Sequence, residues 1–215
     1  LGKMKDGKMD GLWTWWYENG QKKEEGTYKN GKEDGLSTLW YENGQKKSEV
    51  TYKDGKRDGL WTEWFENGQK SGEITLKDGK ADGLFTLWYE NGSKKSEKKY
   101  KDDLITSEVE WSEDGKLSSE KTIDGEKTFK TTYYTTGTKE MSVNLVSGKR
   151  EGLQIIYYKN GNKKTESNYV NDLTNGEYKV WYSNGLLKSV SNYKDDLLEG
   201  EYIDYYDNGS KKSER

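Results

Sequence analysis

Apolar side chains along this 215-residue chain fall in short alternating runs, and no segment repeats them at helical spacing. Alternation of that kind predicts half-buried β-strands. The runs are also in phase with one another. Aligning on a recurrent glycine (Gly20, Gly44, Gly68, Gly92, Gly115, Gly137, Gly161, Gly185 and Gly209) gives intervals of 24, 24, 24, 23, 22, 24, 24 and 24 residues. A fixed period of this size is the signature of a repeat architecture, here of nine repeats.

Rows of rings follow the same phase. Four residues before each glycine stand Trp16, Trp40, Trp64, Trp88, Trp111, Tyr133, Tyr157, Trp181 and Tyr205. Three before it stand Tyr17, Tyr41, Phe65, Tyr89, Tyr134, Tyr158, Tyr182 and Tyr206, with Ser112 breaking the row. Eight after it lies a further apolar row, Tyr28, Tyr52, Leu76, Tyr100, Ile123, Leu145, Tyr169 and Tyr193.

The residue before the glycine is asparagine in seven repeats, as in Asn19-Gly20, Asn43-Gly44, Asn67-Gly68 and Asn91-Gly92. Asn-Gly between β-prone runs predicts a two-residue hairpin of type I′, because both residues tolerate positive φ. A second connection, such as KDGKRDG at 53–59, reads as a looser glycine-rich turn. Each repeat is therefore expected to be strand, tight turn, strand, looser turn.

The fold class that follows is all-β: an elongated, twisted, mostly single-layer antiparallel meander of about nine hairpin repeats of 22–24 residues. In the second repeat, alternation places Ser37, Leu39, Tyr41, Lys46, Ser48, Val50 and Tyr52 on one face. Leu36, Thr38, Trp40, Gln45, Lys47, Glu49 and Thr51 fall on the other. Residues 1–101 and 147–215 read as regular arrays of one continuous repeat domain. Residues 102–146 are degenerate, and a bend or junction is expected there.

Composition changes this picture only by exclusion. Hydrophobic residues make up 29% and charged residues 35%, which alone would point to disorder, but 13% aromatic residues argue against it. The chain has no cysteine and no histidine, so it offers no zinc-finger site, no Cys nucleophile and no Ser-His-Asp triad. The DGK turns lack the spaced carboxylates of an EF-hand loop. No cofactor or metal is implied, and no catalytic residue stands out. A net charge of −3 argues against a nucleic-acid partner and disfavours a phosphoinositide or other anionic membrane surface. No apolar run has transmembrane length.

The text GLWTxWYENGQKKxExTYKDGKxDG resembles the second variant of the MORN repeat, as in bacterial YwqK-type proteins. The resemblance is strong in repeats one to four and seven to nine and weak between them. It implies a β-hairpin array and a non-catalytic scaffold for protein–protein interaction, of the kind grouped with antitoxins. MORN repeats also precede the catalytic domain of plant phosphatidylinositol phosphate kinases, yet no Gly-rich nucleotide loop, HRD or DFG text is present here.

The ring rows at 16, 40, 64 and 88 and from 17 to 206 are the candidate interaction surface, for a protein partner first and for carbohydrate or lipid headgroups second. A structural role weighs more for them, as it does for the Lys-Lys pairs after each corner, such as Lys22–Lys23 and Lys46–Lys47. The opening LGKMKDGKMDG resembles the second half of a repeat, so the chain is expected to begin inside a longer protein. Either a cytoplasmic place or export by an upstream signal peptide agrees with that.

Overall fold

The computed structural model describes residues 2–215. Every regular element in that range is a β-strand, and the chain divides into two compact halves, one ending at Gly115 and one beginning at Lys116. The first half holds β1 (Lys3–Lys5), β2 (Lys8–Trp16), β3 (Lys22–Lys29), β4 (Lys32–Trp40) and β5 (Lys46–Lys53). It continues with β6 (Lys56–Trp64), β7 (Lys70–Lys77), β8 (Lys80–Trp88), β9 (Lys94–Lys101) and β10 (Leu104–Trp111). The second half holds β11 (Leu117–Asp124), β12 (Lys127–Tyr133), β13 (Lys139–Val146), β14 (Lys149–Tyr157) and β15 (Lys163–Val170). Its last strands are β16 (Leu173–Trp181), β17 (Leu187–Lys194), β18 (Leu197–Tyr205) and β19 (Lys211–Glu214).

Within each half every strand pairs antiparallel with the next, and extensive contacts join only sequence neighbours. This is the antiparallel meander of hairpins that the period predicts.

The turn types are the reverse of those expected. At the ENG corner the loop is three residues, Glu42, Asn43 and Gly44. The Tyr41 N–H donates to the Gln45 carbonyl at 2.8 Å and the Gly44 N–H to the Tyr41 carbonyl at 2.9 Å. Only Gly44, at φ +85°, is left-handed; Asn43 is not. That geometry is a type I turn closed by a glycine bulge. The two-residue type I′ turn sits instead at Lys-Asp-Gly-Lys, where Asp54 has φ 51° and Gly55 φ 81°, with Lys53 opposite Lys56. The next glycine of KDGKRDG, Gly59 at φ 113°, is no loop residue but lies inside β6, where the register against β5 shifts.

A second bulge follows the corner in eight repeats, those of Gly20, Gly44, Gly68, Gly92, Gly137, Gly161, Gly185 and Gly209. Leu39 faces Ser48 but Trp40 faces Lys46, which leaves Lys47 as the extra residue. The bulge moves Lys46 to the Trp40 face, the reverse of the alternation expected. The two lysines of each pair therefore serve opposite faces.

Cross-strand partners define two rows in the first half. One face runs Trp13, Gly26, Ser37, Val50, Trp61, Ile74, Phe85 and Lys98. The other runs Thr14, Glu25, Thr38, Glu49, Thr62, Glu73, Thr86 and Glu97. The buried positions are mostly small: Ser37, Thr38, Val50, Thr62 and Thr86. A single sheet can bury small side chains only because long neighbours lie over them, their stems apolar and their charges in water.

Candidate interaction surface

The side chains at each corner couple one repeat to the next. The Tyr17 hydroxyl donates to the Trp40 carbonyl and the Tyr41 hydroxyl to the Trp64 carbonyl, both at 2.8 Å. Tyr89, Tyr134, Tyr158 and Tyr182 make the same bond to the Trp111, Tyr157, Trp181 and Tyr205 carbonyls. Phe65 has no hydroxyl and makes none. Beside this ladder runs one of asparagines. Asn19, Asn43, Asn67 and Asn91 each accept the N–H two residues on, at 2.9 Å. Their Nδ2 groups donate to the carbonyls of Glu42, Glu66, Glu90 and Glu113 in the following repeat. The turn residues are thus spent on closing the corner and on stitching corners together.

Lysines cap the rings. On the threonine–glutamate face Lys22 lies 5.4 Å from the Trp40 ring centre, Lys46 5.6 Å from Trp64 and Lys70 5.7 Å from Trp88. Each also pairs with a glutamate of its own strand, Lys22 with Glu25, Lys46 with Glu49 and Lys70 with Glu73. The hydrogen bond from Lys22 holds the Glu25 carboxyl below its ordinary value. On the opposite face Lys23 covers Tyr17, Lys47 covers Tyr41 and Lys95 covers Tyr89. Lys164, Lys188 and Lys212 do the same for Tyr158, Tyr182 and Tyr206. Each capped ring is already committed to a cation–π contact within the chain.

What stands uncommitted is a different row, one the pattern of rings does not reveal. Leu12, Leu36, Leu60 and Leu84 lie on the threonine–glutamate face, facing Thr27, Thr51, Thr75 and Lys99, and are 45–50% exposed. Their signal is a leucine eight residues before Gly20, Gly44, Gly68 and Gly92, a regularity that burial does not explain. Phe129 and Leu153 hold the same position in the second half, also exposed.

Titratable groups on the ring-bearing face are shifted by structure. Burial first, then the charge of Glu24, pushes the Glu33 carboxyl up, and burial with Glu66 and Glu63 pushes the Tyr41 hydroxyl up. Among the described residues no three acidic side chains come together as metal ligands. The arrangement is suited to contact along a surface.

The model of a MORN repeat variant matches residues 9–30, 33–54, 57–78, 81–102, 150–171, 174–195 and 198–215. The chain belongs to the MORN repeat family. Each full MORN segment spans one strand, corner and strand, as in β4 to β5 for 33–54. Residues 103–149 fall between the matched stretches. No curated protein matches the chain. MORN repeats are in general non-catalytic and build scaffolds that engage proteins or membranes. Among the described residues no helix is long and apolar enough to cross a membrane.

Proposed function

We propose that this MORN array is a non-catalytic scaffold that binds another protein through the threonine–glutamate face, with the leucine row as its apolar anchor. The observation that carries this is the exposure of Leu12, Leu36, Leu60 and Leu84 at one repeating position of a sheet with no second layer over it. A row of exposed leucines at one repeating position offers evenly spaced apolar anchors to a partner laid along the face. A protein suits this face better than an anionic bilayer. The lysines flanking the row are paired with glutamates, and the corners add Glu18, Glu42, Glu66 and Glu90. A toxin is the class of partner that the YwqK-type resemblance implies.

The test is a double variant, Leu36→Ser with Leu60→Ser, used beside the native chain to capture partners by cross-linking in host extract. Exposed leucines contribute little to stability, so melting should shift only slightly. A partner of the native chain should fall at least tenfold with the variant. Capture that ignores both substitutions, or binding to liposomes or glycans in place of protein, would overturn the proposal.

A further inference from the structure

Of the eight rings three residues before a turn glycine, seven lie under a lysine of this chain. Phe65 is the exception among the described residues. The third repeat departs from repeats one, two and four at four neighbouring positions. Phe65 replaces tyrosine, Ser71 stands where Lys23, Lys47 and Lys95 stand, and Gly72 stands where Glu24, Ser48 and Ser96 do. Glu63 stands where Trp15, Leu39 and Leu87 do. The first two changes leave a ring without its cation. The last two put a carboxylate where the other three repeats carry an apolar side chain, and remove the side chain opposite it.

These changes meet on one face. Alternation along β6 sets Trp61, Glu63 and Phe65 on the same side, and Glu63 lies directly opposite Gly72. A Cβ on Gly72 would stand 3.3 Å from Leu87 Cδ2 and 3.9 Å from Glu63 Oε2, so the carboxylate leans over the glycine. A hollow of about 140 Å³ opens there, lined by Trp61, Glu63, Gly72, Glu73, Ile74 and Phe85. A neighbouring hollow, about 500 Å³, is lined by Tyr41, Phe65, Glu66, Asn67 and Glu90. Arg57 already caps Trp61, at 4.2 Å, which leaves Phe65 as the open ring. Glu63 has no ion pair among the described residues.

We propose that this spot receives an arginine or lysine side chain from a basic segment of a partner protein. The incoming cation does for Phe65 what Lys47 does for Tyr41 one repeat earlier, and Glu63 is its counter-ion. The aliphatic stem has the apolar hollow at Gly72 to lie in. Charge complementarity selects the occupant, since a lipid phosphate would meet carboxylates here. The site lies on the opposite face from the leucine row and is independent of it.

The probe is an acetylated Gly-Ser-Gly-Arg-Gly-Ser-Gly peptide, against its citrulline twin, which keeps the shape and loses the charge. Both are titrated into the full chain while the Trp61 indole N–H is followed by NMR. The arginine peptide should bind at least tenfold more tightly than the citrulline one. Glu63→Leu and Ser71→Lys should each weaken it at least tenfold. Both variants restore residues that neighbouring repeats carry, so folding is retained and melting should not fall. Equal response to the two peptides, no response to either, or binding indifferent to both substitutions would overturn the proposal. Self-association abolished by Glu63→Leu would give the site to a second copy and overturn it too. A partner lost with the leucine variant but kept with Glu63→Leu and Ser71→Lys would sink this site and leave the scaffold standing.

Discussion

The Tyr41 hydroxyl donates to the main-chain carbonyl of Trp64, 23 residues further on, at 2.8 Å. That bond reaches from one corner to the strand end of the next repeat, so it reports coupling between repeats and not the folding of a single hairpin. A thin sheet depends on such terms, because a lone hairpin is marginal in water. Tyr41→Phe should lower the unfolding free energy by about 1 kcal/mol, the usual net worth of one hydrogen bond. Phe65→Tyr should raise it by a similar amount by closing the gap before Trp88. Urea denaturation of both variants checks this. If neither midpoint moves, the ladder contributes nothing to stability.

The two corner geometries respond to proline in opposite ways. Glu42 occupies the first central position of a type I turn, where proline's fixed φ is favoured, and extended Tyr41 before it is compatible with a following proline. Asp54, at φ 51°, occupies a conformation that proline cannot adopt. Glu42→Pro should change stability by less than about 1 kcal/mol, whereas Asp54→Pro should cost more than that. Equal penalties in chemical denaturation would refute the assignment of the turns.

The sequence made the strands, their order and the two-faced rows legible, because a glycine-locked period and strict alternation leave little freedom. It left the turn types ambiguous. Asn-Gly and Asp-Gly both tolerate positive φ, and what separates them is which hydrogen bonds the corner closes. Asn43 spends its side chain on the Gln45 N–H and the Glu66 carbonyl, which suits an ordinary φ and a left-handed Gly44. Gly59 was equally ambiguous, since a bulge within a strand and a loop call for the same residue. Once those bulges are in place, Lys46 and Lys47 exchange faces, which no alternation rule would foresee. The candidate rings were legible as a pattern, but their lysine caps depend on that exchange. The leucine row was in plain view and lacked only the knowledge that nothing covers it.

Glu33 gives the sheet a pH signature. Its carboxyl is raised above the ordinary 4.5, by burial first and by Glu24 next, with Arg57 opposing. The folded state therefore binds this proton more tightly than the unfolded state. Stability is lost as pH rises from the ordinary carboxylate range through the folded value, and at about pH 3 both states are protonated and the effect vanishes. Glu33→Gln should accordingly melt higher than the native chain at neutral pH and equally at about pH 3. A constant difference across that range would show that the substitution acts through packing and not through charge.

In the second half Tyr133 gives the alkaline counterpart. Its hydroxyl donates to Glu120 Oε2 at 2.5 Å, across the pairing of β11 with β12. The pKa is pushed from 10.0 up to about 12, by burial first and then by the hydrogen bond and charge of Glu120. The folded state again holds the proton more tightly, so this stabilisation is complete below pH 10 and is lost as pH climbs towards 12. Titration followed by tyrosinate absorbance should show a late-ionising component to which Tyr133 contributes, and Tyr133→Phe should lower its amplitude by one tyrosine. Glu120→Gln keeps a hydrogen-bond acceptor but drops the charge. Since burial is the largest cause, Tyr133's share of the late component should move down only part of the way. A late component that survives Tyr133→Phe unchanged would place the strong proton elsewhere and void the assignment.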